Sequence, residues 1–149
     1  MGAYDRDFHA WAIEQGELIR SRSADAIDWD NVAEEIESLG RQERGELYNH
    51  FVVLLTHLLK WRFQPERRSR SWRTSVVNRR LDIARQLKLS PSLKAVLEEE
   101  FGDAYPRARY QAEDETGLSA ATFPEASPFT LTQALDPDWW PGGAGDGGA

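Results

Sequence analysis

One stripe of apolar residues constrains this chain more than anything else in it. Leu47, Phe51, Leu54, Leu55, Leu58 and Leu59 recur at spacings of three and four, and Val52 and Val53 widen the stripe. That is the period of an α-helix and not of a strand. A helix over 46–63 is therefore expected as the buried centre, with the rest of the chain packed around it. Pro65 has no backbone donor and biases Gln64 away from helical dihedrals, so the helix is expected to end near Phe63, with 64–69 as a loop.

Toward the N-terminus, Tyr4, Phe8, Trp11, Ala12, Gln15, Leu18 and Ile19 trace one helical face. A first helix is expected over about 5–21, with Asp5 and Asp7 in a first turn that favours carboxylates. Asp28 is placed to cap a second helix whose apolar face is Trp29, Val32, Ala33, Ile36 and Leu39. Gly40 and Gly45 each weaken a helix by about 1 kcal/mol relative to alanine, so either Gly40 ends the second helix in a left-handed cap or one long helix runs through to Phe63, and a bend or break near Gly40 is the preferred expectation.

Beyond the proline loop, Ser71 can cap a fourth helix that buries Trp72, Val76, Val77, Ile83, Ala84 and Leu87. Ser90-Pro91 reads as a cap serine followed by a proline at the first helical position, opening a fifth helix that runs to about Glu115. Pro106 falls inside it, predicting a kink near 102–105, and Gly117 reads as a stop. A turn of helix near 131–135 and an aromatic plug built on Trp139 and Trp140 close the chain. The glycine-rich residues 142–149 have nothing to bury and are expected to be disordered. The fold class expected is thus an all-α, single-domain helical bundle of about five helices over residues 1–141, with a C-terminal aromatic extension.

The 149 residues include no cysteine, which excludes disulfide frameworks, thiolate metal sites and cysteine nucleophiles. The N-terminus carries acidic residues where a secretion signal carries basic ones. The longest unbroken apolar run, 51–55, is far shorter than the ~20 residues that a membrane helix requires. A cytoplasmic protein without a membrane partner is the resulting expectation. Net charge is −7 but segregated: Lys60, Arg62, Arg67, Arg68, Arg70, Arg73, Arg79, Arg80 and Arg85 face only Glu66 and Asp82 within 60–85, so that segment carries +7 and the remainder −14. Such asymmetry calls for an internal acidic partner or an external polyanion.

Four constellations can be weighed for chemistry. Glu34 and Glu35, with Glu37 nearby, can meet His57 or His50 from a neighbouring helix in a carboxylate–histidine metal site. His50 and His57 are two turns apart, about 10 Å along the axis, too far to share one ion undistorted. The competing structural reading pairs Glu34 or Glu35 with an arginine of the basic segment and makes His57 a hydrogen-bonded residue at the edge of the core. Second, Lys60, Arg67, Arg68, Arg70 and Arg73, interleaved with Trp61, Trp72 and serines, have the chemistry of a polyanion or nucleic-acid site. An acidic total charge opposes this, and the competing reading buries Trp61 and Trp72 and lets the arginines neutralise acidic helices. Third, no nucleophile-elbow or metalloprotease pattern is present to support acid–base or nucleophilic catalysis. Fourth, charge segregation and Trp139-Trp140 suit association with a protein partner or a second copy of the chain.

Several motifs carry a family resemblance. They are Tyr4-Asp5-x-Asp7-Phe8, Ala33-Glu34-Glu35-Ile36-Glu37-Ser38-Leu39-Gly40, Leu54-Leu55-x-His57-Leu58-Leu59-Lys60-Trp61-x-x-Gln64-Pro65 and Arg68-Ser69-x-Ser71-Trp72. Ser90-Pro91-Ser92-Leu93, Glu115-Thr116-Gly117-Leu118, Phe123-Pro124 and Trp140-Pro141 continue it over nearly the whole chain. Together they resemble the bacterial domain of unknown function 29 family. The resemblance implies an all-helical single domain and carries no activity, cofactor or catalytic residue with it. The functional expectation is therefore a small helical interaction module. A polyanion site on 60–85 is its alternative, and a metal-dependent enzyme using Glu34, Glu35 and His57 stands third.

Overall fold

The computed structural model describes residues 2–142, so most of the glycine-rich tail lies outside the described residues. The fold is all-α: six α-helices, α1 Ala3–Arg6, α2 Phe8–Arg20, α3 Trp29–Phe63, α4 Arg70–Leu89, α5 Leu97–Thr116 and α6 Leu131–Leu135, are joined by short turns, with no strand among the described residues. The chain divides into two compact units between Glu43 and Arg44.

The first unit is a helical hairpin. The single helix expected over 5–21 is interrupted at Asp7, whose φ of −151° takes it out of the helix. Its carboxylate instead accepts from Ala10 N at 3.0 Å, satisfying one of the free donors at the start of α2. Asp28 receives the first backbone bond of α3 from Val32 N at 2.9 Å and binds Trp11 Nε1 and Asn31 Nδ2 through its side chain. These bonds hold its carboxyl below the usual range, that from Asn31 having the largest effect. Gln15 is buried and accepts from Asp28 N at 2.8 Å, so a polar side chain ties the turn to α2. Tyr4 stacks edge-on to Trp11 and donates its hydroxyl to Glu35, which pushes that hydroxyl up to about 12.

The break expected near Gly40 does not occur: α3 is continuous over 35 residues. Gly40 has no positive φ, as a left-handed cap would require, and is flanked by strong helix formers from Glu34 to Arg44. Each residue added to an existing helix gains a hydrogen bond, which offsets the entropic weakness of one glycine.

The second unit is built on the C-terminal half of α3. Leu47, Phe51, Leu54, Leu55, Leu58 and Leu59 are all fully buried, each contributing about 1.5–3 kcal/mol by removal from water. Against them pack Val76 and Ile83 of α4 and Phe101, Ala104, Tyr105, Ala108 and Ala112 of α5. Of the face expected on α4, Trp72, Val77 and Leu87 are half-buried and Ala84 is exposed, whereas Arg80 and Gln86 are buried. The cap of α4 is Ser69, not Ser71, because Ser69 is the residue with extended dihedrals and it accepts from Trp72 N.

Pro91 opens a 3-10 turn over Pro91–Val96 where the sequence reading began the fifth helix directly. Val96, the last residue of that turn, has φ −113° and ψ 5° and caps α5. The α5 helix then runs through Pro106 without interruption and stops at Gly117, whose φ of +72° is the left-handed cap that glycine favours. Arg109 and the Tyr105 hydroxyl bind the carbonyls of Phe123, Ala120 and Pro124, pinning the segment after α5 to its helix. Thr130 and Gln133 form a reciprocal capping box that starts α6. The aromatic plug follows as expected: Trp139 packs on Phe129 and Trp140 on Trp61, both half-buried.

Candidate functional site

Two regions answer to the sequence-based candidates, and a third was not anticipated. In the basic segment, Lys60 is only 7% exposed. Its ammonium lies 2.9 Å from Glu115 and 4.7 Å from the centroid of the Trp72 ring, so its charge and that ring are engaged internally. Arg68 donates Nε to Trp61 O at 2.8 Å and Nη2 to Gly142 O at 3.2 Å, with its guanidinium 4.9 Å from the Trp61 ring. Arg73 lies 5.4 Å from the Trp140 ring with its residue exposed. Arg67 and Arg70 are exposed, and their side chains have no hydrogen bond or ion pair among the described residues.

The buried Arg80 is the most constrained cation of the segment. It donates Nε to Ala134 O and Nη2 to Trp139 O, each at 2.8 Å, and lies 5.3 Å from the Trp140 ring. Burial lowers its pKa, opposed by the field of Asp136. The sequence reading had the arginines neutralising acidic helices. Lys60 does so with Glu115, whereas Arg79 pairs with Asp82 of its own helix, and Arg68 and Arg80 bind backbone carbonyls, which no charge count reveals.

The residues considered for a metal are dispersed into other bonds. Glu34 pairs with Arg41 at 2.7 Å, an arginine of its own helix and not of the basic segment, while Glu35 accepts from Tyr4. His57 Nδ1 donates to Val53 O at 2.9 Å, and burial lowers its pKa despite that bond. Arg79 donates to His50 Nδ1 at 3.0 Å, which fixes that imidazole as an acceptor there; burial again lowers its pKa. Among the described residues, no group of three or more His, Cys, Asp or Glu side chains could hold a metal ion. No helix among them is long and apolar enough to cross a membrane.

The unanticipated region is a groove of about 350 Å³ on the hairpin, floored by Trp11, Ala12 and Gly16 and walled by Phe8, Ile19, Ile36 and Leu39. These walls belong to the faces expected to be buried, yet Phe8 is 50%, Ile36 64% and Leu39 63% exposed. Glu35 is the charged residue in its lining. Around it the first 43 residues carry eleven carboxylates against four arginines, a net charge of −7 equal to that of the whole chain. Periodicity identified the apolar faces of both helices; that those faces stay open was not readable from it.

A model of the domain of unknown function DUF29 matches residues 3–140. The chain belongs to the DUF29 family. Both the hairpin and the second unit of this DUF29 chain fall within the matched residues. No curated protein and no solved structure matches it.

Proposed function

We propose that this DUF29 chain is an interaction module that receives an amphipathic helix with basic flanks in the groove of its N-terminal hairpin. The observation that carries the reading is a contiguous apolar groove, walled by exposed Phe8, Ile19, Ile36 and Leu39, on a unit of net charge −7. An amphipathic helix recognises a groove of this kind by setting aliphatic side chains at spacings of three and four into it. The surrounding carboxylates select basic flanks and raise the encounter rate. They disfavour an anionic membrane surface for the same reason. The cytoplasmic setting expected from the sequence is part of the same proposal.

A labelled leucine–lysine peptide patterned for one apolar face tests this by fluorescence anisotropy. The expected result is saturable binding that weakens with salt and is lost in the Ile36→Glu and Leu39→Glu variants, while a leucine–glutamate peptide of the same pattern fails to bind. Binding that ignores both substitutions, or no binding by either peptide, would overturn the reading.

One observation keeps a second reading in view, a polyanion site on the basic segment. Arg67 and Arg70 are exposed and have no partner among the described residues, whereas Lys60 and Arg68 are already engaged. Such a site would rest on Arg67, Arg70 and Arg73. Polyphosphate binding that disappears in an Arg67→Glu, Arg70→Glu double variant of unchanged helicity is its expected signature; indifference to the double change would remove it.

A further inference from the structure

The chain itself carries a helix face with the chemistry the groove selects. Helix α4 buries Val76, Arg80, Ile83 and Gln86, but its opposite side is not plainly polar. Leu81 is 63% and Leu89 69% exposed, and Ala84, Arg85 and Lys88 are exposed beside them. At 100° per residue, Ala84, Lys88, Leu81, Arg85 and Leu89 follow one another in that order around one exposed side of the helix, so cations alternate there with apolar residues. Arg85 and Lys88 have no hydrogen bond or ion pair among the described residues. In sequence, α4 carries five arginines, Arg70 included, and one lysine, six cations in all, against the single Asp82.

We infer that the occupant of the hairpin groove is the exposed face of α4 from a second copy of this chain. This rests on the docking reading above and names its partner. Charge decides between the ways two copies can meet. Groove against groove would bring together two hairpins of −7 each, with Glu14, Glu17 and Glu37 of both lacking a cation among the described residues. Groove against α4 instead sets Leu81 and Leu89 among Phe8, Ile19, Ile36 and Leu39, and brings Arg85 and Lys88 to the acidic unit. The two surfaces differ, so the contact is heterologous; reciprocated between two copies it closes a dimer, and unreciprocated it propagates.

Sedimentation equilibrium of the full chain over a range of concentrations and salt tests the assignment. The expected result is a mass above the 17.0 kDa of one chain, falling toward it as salt rises. Leu81→Glu and Ile36→Glu each weaken association by more than about tenfold, because each places a carboxylate where an apolar contact is required. Both positions are exposed, and circular dichroism verifies that the variants fold. Mixing them restores association, since one supplies an intact groove and the other an intact α4. A wild-type chain that stays monomeric throughout overturns the second-copy assignment, as does association that survives both substitutions. The leucine–lysine peptide separates the two readings: a monomeric chain that still binds it keeps the groove as a docking site for another protein, and one that does not loses both.

Discussion

The two units handle apolar residues in opposite ways. In the second, Leu47, Phe51, Leu54, Leu55, Leu58 and Leu59 have no measurable exposure, and Arg80, a cation, is buried with them. In the hairpin, Trp11 and Ile27 are the buried apolar residues, while Phe8, Ile13, Trp29, Ile36 and Leu39 are at least half exposed. Charge follows the same division, with the hairpin holding the full −7 and the remaining sequence balanced. Burial in the second unit stabilises the chain by itself; the hairpin leaves part of its apolar surface in water. The contrast teaches that two helices with equally good apolar periodicity can serve different ends.

The sharpest test of the contrast compares truncations. Leu55→Ala is expected to destabilise the chain by about 2–5 kcal/mol, as removal of a fully buried leucine does, and Ile36→Ala to stay within about 0.5 kcal/mol. Urea unfolding reads both, and equal losses would break the comparison. Next in size, Arg80→Ala leaves the buried carbonyl of Ala134 and the half-buried one of Trp139 without their donor, for an expected loss of roughly 2–3 kcal/mol and earlier proteolysis after residue 130. A C-terminal segment as resistant as before would show that the clamp is dispensable.

A smaller effect has a decisive sign. A Cβ on Gly40 meets nothing within 4 Å and the backbone there is helical, so Gly40→Ala is expected to stabilise by about 0.5–1 kcal/mol in thermal unfolding. A loss instead would restore the broken helix. The smallest effect is a slope. His50 and His57 have folded-state pKa values below the 6.5 of an exposed imidazole, burial being the main cause in both. The unfolded chain therefore binds protons first as pH drops; stability is full above about 6.5 and declines as pH falls through the lowered values. His57→Gln is expected to flatten that decline in urea titrations at pH 7 and pH 5.

Much of this architecture could be read in advance, for identifiable reasons. Pro65 ended α3 at Phe63, Gly117 ended α5, and the wide stripe from Leu47 to Leu59 became the core, because each depends on backbone chemistry or on a face too apolar to leave wet. The continuity of α3 past Gly40 was not legible, since glycine permits a break without imposing one. Nor was the groove: periodicity says which side of a helix is apolar, and only the neighbouring elements say whether it is covered. For Lys60 and Arg80 the charge pattern left an internal and an external partner both open, and only the folded chain shows the carboxylate and the carbonyls that engage them.

The carbonyls that bind Arg80 belong to Ala134 and Trp139, more than fifty positions further along the chain. During synthesis α4 is therefore finished long before its arginine has anything to bind, and the guanidinium must stay in water until the last helix and the tryptophan pair emerge. A prematurely terminated product that stops before residue 134 would hold that cation without its acceptors and remain open to proteases. The anchoring of Arg80 thus waits on chain more than fifty positions downstream.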